Sequence, residues 1–277
     1  MGNTENRFFR KAVIPINSVG ADTVRRLKLV FDMFGLAYDT VVGLFTQSGR
    51  RHISLQQIIN QVLFTGVDAL IIVGLIALSC GITIGVQAAT NMTEIGASEY
   101  FGTIMVISVV RELGPFFTSL VVIGRSGAAL AAYIGNMKVT KEIAALEVMG
   151  VNLNHFLVMP AFLGMIISLV CLKIYFDIIA IIGGLFIAKL LVNAPYLALV
   201  QEVFNAVEVV DILVSTIKCL LFGAVIAVVS CYHGMHVSNI RFVPRAVFKA
   251  VVGSIVVTII MNVVITVGFY AFRNTAG

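Results

Sequence analysis

Charge is what this sequence has least of. Only 12% of its 277 residues are Asp, Glu, Lys or Arg, against 59% hydrophobic residues, whereas soluble domains carry about a quarter charged residues. With a mean hydropathy of +1.02, an ordinary soluble domain is excluded and the chain reads as an integral membrane protein. The balance of 19 Lys and Arg over 14 Asp and Glu is basic. These cations punctuate the ends of apolar runs instead of forming one stripe, which argues against nucleic acid as a partner.

Catalytic chemistry is equally scarce. Cys80, Cys171, Cys219 and Cys231 lie inside apolar runs without Cys-x-x-Cys spacing or an adjoining His, and read as packed, reduced thiols. No Gly-x4-Gly-Lys-Ser/Thr phosphate loop occurs, so no ATP hydrolysis is expected of this chain alone. No His or carboxylate set suggests a metal, and His52, His233 and His236 fall near span ends as interfacial polar residues. Gly124-Arg-Ser126-Gly127 spells the Gly-x-Ser-Gly of rhomboid-type intramembrane proteases, with His155 or His233 as the only conceivable base. Ser126, however, follows Arg125 at the cytoplasmic end of a span, away from any pocket within the membrane. The N-terminal segment has no uninterrupted apolar stretch followed by a small-residue cleavage site, so no signal peptide is expected to be removed.

What the sequence has is long apolar runs, at about 66 to 89, 101 to 124, 156 to 190, 209 to 232 and 247 to 272. Each is long enough for a bilayer core of about 30 Å. The third could be two short spans, but Lys173-Ile-Tyr-Phe-Asp177 holds no turn residue and spaces its charges four apart on one helix face, which predicts a single long helix. Five spans place the N-terminal cations Arg7, Arg10, Lys11, Arg25, Arg26, Lys28, Arg50 and Arg51, then Arg125, Lys138 and Lys141, then Arg241, Arg245 and Lys249 on the cytoplasmic side. The N-terminus is then inside and the C-terminus outside.

Before the first span, Val24, Leu27, Phe31, Phe34, Tyr38, Val41 and Phe45 recur at helical spacing among charged residues, which predicts an amphipathic helix in the interface. Ser54-Leu-Gln-Gln57 has the form of a capping box. After the second span, Gly127, Ala131 and Gly135 recur every four residues, as do Gly124, Ala128 and Ala132. Such bare faces serve close helix packing within a subunit or between two copies. Next comes a short amphipathic helix, with Val139, Ile143, Leu146 and Met149 on one side, Lys138, Lys141, Glu142 and Glu147 around the rest, and Gly150 ending it. It is either a solvated loop helix or a coupling element.

Arg111, Glu112, Lys173, Asp177 and Lys218 lie inside apolar runs, where a charge costs at least about 2.5 to 3.5 kcal/mol at the membrane centre. They argue for a polar pathway over an inert scaffold. A secondary carrier is the other transport class, yet no repeat divides the chain into halves.

The run "VVRELGPFFTSLVVIGRSGAALAAYIGNMKVTKEIAALEVMGVN" resembles the signature of MlaE-type permeases, the membrane subunits of ABC transporters that work with MCE proteins in lipid trafficking. The Arg-Glu-Leu-Gly-Pro motif, the Gly-Arg-x-Gly turn and the Ala-Leu-Glu-Val-Met-Gly ending occur in order, and the resemblance covers nearly the whole chain. It implies an all-α membrane protein of the bacterial inner membrane, with residues 1–53 as an interfacial segment and 54–277 as the permease domain. It implies a homodimer, separate ATPase subunits carrying ATP and Mg, an MCE partner, and a phospholipid substrate held between the two copies. On this resemblance Arg111 holds a lipid phosphate and Glu112 neutralises it, with Ile84, Gln87, Met92 and Ile95 along the acyl-chain path. An Arg-Glu pair that only ties helices together is the alternative. Lys138, Lys141, Glu142, Leu146 and Glu147 belong to the helix that seats in the ATPase. Ser126, Tyr133 and the loop "HGMHVSNIRFVPRAVFKAVVGS" depart from the family pattern.

Overall fold

The computed structural model describes residues 31–43, 55–95, 100–191 and 196–276, and among the described residues there is no strand. Among the described residues five helices are long and apolar enough to cross a membrane: Gln56–Thr90, Phe101–Val139, Phe156–Leu191, Val209–Met235 and Ile240–Arg273, here spans 1 to 5. Spans 1, 2 and 5 run past their apolar stretches at the end of the bundle that carries Lys138, Lys141, Arg241 and Arg245, the basic end. Span 3 contains one uninterrupted helix, Met159–Leu191. Lys173 Nζ lies 2.7 Å from Asp177 Oδ2 one turn on, the pairing along one helix face that their spacing predicts.

Apolar burial drives little helix association in lipid, so close packing and small residues hold such bundles together. Spans 1 and 3 follow this rule. Gly81 and Gly85 lie against the backbone of Ala180 and Gly184, leaving no room for a Cβ. Around that contact Val73, Ala77, Phe176 and Leu169 are fully buried. The two small-residue faces of span 2 separate in the same way. Gly127 abuts Ile226 and Ser230 of span 4 and Gly135 abuts Val237 and Val243, whereas Gly124 has open space. The first face serves packing within the subunit.

Span 2 is not a regular α-helix. Over Val106–Leu113 it widens to π-helical turns, and the Gly114 amide bonds back five residues to the Val109 carbonyl. The cause is local. Pro115 has no amide to donate and its ring crowds the carbonyl four residues before it, so the helix must loosen there.

Residues 31–43 are helical. Met33, Leu36 and Ala37 pack on the bundle and Thr40 is buried, while Phe31, Phe34, Tyr38 and Val41 share an exposed face. Val24, Leu27, Phe45 and the Ser54 capping box lie outside the described residues. The connection between spans 3 and 4 holds a helix not expected from the sequence, Tyr196–Ala206. It packs on the start of span 2, where Gly102 admits the backbone of Glu202 and Val203.

Candidate functional site

Arg111 and Glu112 sit on the widened part of span 2, and their partners come from spans 4 and 5. The Arg111 side chain is 1% exposed, and its Nη1 donates to Asp211 Oδ1 at 3.2 Å. Phe269 and Tyr270 of span 5 place their ring centroids each 4.4 Å from the guanidinium carbon, a cation–π arrangement that replaces part of the lost hydration. Nη2 of Arg111 is buried without a hydrogen-bond partner among the described residues.

Glu112 faces the other way. Its side chain keeps 26% exposure, and Lys218 Nζ lies 2.7 Å from Oε2. The Lys218 ammonium donates twice more, to Thr266 Oγ1 at 2.8 Å and to the Arg111 carbonyl at 3.3 Å. Its three protons are therefore all used. Thr266 in turn donates to Glu112 Oε2 at 3.0 Å. The Arg111 to Glu112 contact itself is loose, 3.8 Å from Nε to Oε1, so the two neighbours are not each other's main partner.

Span 3 brings its ion pair alongside. Asp177 Oδ1 lies where a Cβ on Gly114 would stand, 2.5 Å from it. That oxygen is buried without a partner, while Oδ2 holds Lys173. Arg111, Lys218 and Lys173 thus meet Glu112, Asp211 and Asp177, and the cluster is balanced in formal charge. Balance matters because an unpaired buried ion costs several kcal/mol.

The sequence-predicted residues divide. Arg111, Glu112, Lys218, Lys173 and Asp177 come together. Ile84 is buried on the packed side of span 1. Gln87 is exposed on the opposite side, in line with Ser79, Thr83 and Thr90. The side chains of Met92 and Ile95 lie outside the described residues. Asp211 was missed. Three residues into a helix, it reads as an ordinary acidic first-turn residue, stabilised by the helix dipole. Thr266, Phe269 and Tyr270 were missed too, although their spacing of three and four places them on one face of span 5.

At the basic end, span 2 runs through Lys138 to Val139, then breaks at Lys141, whose φ of 64° is left-handed. Helix Glu142–Val148 follows, shorter than the expected stretch from Lys138. Thr140 Oγ1 donates to Glu142 Oε1 at 2.8 Å across the turn. Gly150 ends the helix at φ 76°. Its amide meets the Glu147 carbonyl, and the Val151 amide meets Leu146, each at 3.0 Å, the paired bonds of a Schellman cap. Ile143 is buried and anchors the helix to the bundle, whereas Val148 is 89% and Met149 71% exposed. Lys138, Lys141, Glu142 and Glu147 are all exposed, and Leu146 is half-buried.

A bundle of five long apolar helices with a charge-balanced interior and a capped helix projecting from its basic end defines a polytopic membrane protein. Comparison with known proteins narrows the class. Residues 58–268 match the family model described as Permease MlaE. A probable ABC transporter permease protein of Rickettsia bellii is 31% identical over 92% of this chain and 97% of its own length. The intermembrane phospholipid transport system permease protein MlaE of Haemophilus influenzae is 32% identical over 67% of this chain and 70% of its own. A probable ABC transporter permease protein of Synechocystis is 27% identical over 85% and 90%. The chain belongs to the MlaE permease family of ABC transporters, whose members are membrane subunits rather than enzymes.

Proposed function

We propose that this chain is the membrane subunit of an ATP-driven phospholipid transporter of the bacterial inner membrane. Two copies enclose the lipid path. ATP and Mg are bound by separate ATPase subunits at the basic, cytoplasmic end, and an MCE protein docks at the opposite, periplasmic end. The function carried in the name of the Haemophilus relative supports the substrate. The observation that carries the reading is the cluster around Arg111, in which one guanidinium nitrogen is buried without a hydrogen-bond partner. A phosphate oxygen satisfies such a group with a charge-assisted bond, and Glu112, partly exposed and shared with Lys218, offsets the charge when no lipid is bound. Ser79, Thr83, Gln87 and Thr90, exposed on one side of span 1, suit a wet or partner-facing surface far better than lipid tails. The helix of residues 31–43 lies in the interface on its aromatic face. Helix Glu142–Val148 couples to the ATPase through its exposed Val148, Met149 and Glu147.

A second reading has its own support. Arg111 is already paired with Asp211 and held between Phe269 and Tyr270, as a residue that ties spans 2, 4 and 5 together. Purification of the intact complex, with mass spectrometry of its chains and lipids, tests the reading as a whole. An ATPase, an MCE chain and bound phospholipid are expected. A preparation holding neither ATPase nor phospholipid contradicts it.

A further inference from the structure

Away from the charge cluster, the basic ends of spans 1, 2 and 3 leave two adjoining cavities. One measures about 280 Å³ and the other about 220 Å³, and they share Gln61, Leu130 and Tyr133 as walls. Their polar lining is Gln57, Asn60, Gln61 and Tyr133, and among the described residues no charged side chain borders either cavity. Gln61 Nε2 donates to Thr65 Oγ1 at 3.4 Å and Asn60 Oδ1 accepts from Gln56 Nε2 at 3.3 Å. Gln57 Oε1, by contrast, is buried without a partner among the described residues. A buried carboxamide oxygen left unpaired costs about 1 to 3 kcal/mol, and a ligand that donates an N–H or O–H removes that cost.

Depth identifies the ligand. The apolar run of span 1 begins near residue 66, that of span 2 ends near 124 and that of span 3 begins near 156. The cavities therefore lie at the boundary where headgroups meet the hydrocarbon. Phe64, Leu130, Phe156 and Leu157 form the apolar part of the walls. A donor site, an acceptor site and an apolar wall at headgroup depth match one chemistry. We infer that the basic ends of spans 1 to 3 bind a glycerophospholipid of the adjoining leaflet whose headgroup donates hydrogen bonds, with Gln57 accepting from the headgroup and the Tyr133 hydroxyl, on the wall shared by both cavities, donating to the phosphate. The site is separate from the Arg111 cluster, which lies toward the opposite end of span 2. The inference rests on the reading of the chain as a lipid permease.

The chain contains no tryptophan, so Phe156→Trp puts a single fluorophore on the cavity wall. The full-length variant is reconstituted in phosphatidylcholine vesicles with rising fractions of phosphatidylethanolamine carrying a nitroxide high on its acyl chain. A parallel series uses phosphatidylcholine with the same label, whose headgroup donates nothing. The ethanolamine lipid should quench with saturation, half-complete at a mole fraction at least fivefold below that of the choline lipid. Adding Gln57→Leu and Asn60→Leu should merge the two curves. Ala129→Phe together with Ala161→Phe, which fill the smaller and the larger cavity without removing a polar group, should do the same. Equal quenching by both lipids, or a difference that survives the Ala129→Phe and Ala161→Phe pair in a folded protein, overturns the site. ATP-driven lipid transfer is measured separately on the unaltered complex, so its failure counts against the transporter reading and leaves the outcome of the quenching curves unaffected.

Discussion

Lys218 supplies the hydrogen bond that Pro115 takes away. Its Nζ lies 3.3 Å from the carbonyl oxygen of Arg111, the acceptor that an amide at position 115 serves in a regular helix. The same ammonium holds Glu112 at 2.7 Å. A backbone defect in span 2 and a lysine on span 4 thus form one unit.

That pairing predicts a coupled pair of substitutions. Lys218→Met leaves the Arg111 carbonyl unserved and Glu112 with only the Thr266 hydroxyl and the loose Arg111 contact, and breaking such a buried pair costs about 3 to 5 kcal/mol. Pro115→Ala in that background returns a backbone donor and should recover about 1 kcal/mol. In the unaltered protein Pro115→Ala should gain less, since Lys218 already serves the carbonyl. A double-mutant cycle by thermal unfolding in detergent reads the coupling, and simple additivity would contradict it.

Arg111 separates the two readings of the cluster. If it holds phosphate, Arg111→Ala should lose co-purified phospholipid while the subunit stays folded, and Arg111→Lys should give an intermediate loss because the bidentate fork is gone. If it only ties helices, both variants should unfold at lower temperature. Asp211→Asn added to Arg111→Ala should then recover much of the loss, since Asp211 is the partner within hydrogen-bonding distance. Lipid content and unfolding temperature on the same preparations decide between them.

The proposed coupling to an ATPase rests on the projecting helix. Glu142→Lys with Glu147→Lys reverses two exposed charges and should release the ATPase from a pull-down, with the permease still folded in the membrane. Ile143→Asp should instead damage the subunit itself, because that side chain is buried. Retention of the ATPase by the double reversal would show that the helix plays no part in docking.

The small-residue faces give a contrast between fold and assembly. Gly85→Leu drives a side chain into the Gly184 backbone and should prevent spans 1 and 3 from closing. At Gly124 a Cβ meets nothing within 4 Å among the described residues, so Gly124→Leu should leave the fold in place. If that face meets a second copy, only the dimer should be lost, as size-exclusion with light scattering would report.

Much of this was legible in the sequence because the membrane imposes simple rules. Span number followed from apolar length and charge placement, and the single third helix followed from the spacing of Lys173 and Asp177. Tyr196–Ala206 escaped because its apolar residues are those of any short loop helix, and only tertiary packing on Gly102 marks its place. The charge cluster was half legible. Residues inside apolar runs announce themselves by their cost, but Asp211 sits where an acid is common. The inward turn of Ile84 and the outward turn of Gln87 depend on which face of span 1 meets span 3. Gly81 and Gly85 mark that face only once Ala180 and Gly184 are known to lie opposite.

Whether the chain belongs to an ATP-driven phospholipid transporter is decided by transfer of a labelled phospholipid between membranes, using the purified complex of this chain with its ATPase and MCE partners. Transfer should require ATP hydrolysis, be indifferent to ion gradients, and fall at least tenfold with Glu142→Lys and Glu147→Lys in this chain. Transfer driven by an ion gradient without an ATPase, or no phospholipid transfer by an assembled and hydrolysing complex, would contradict it.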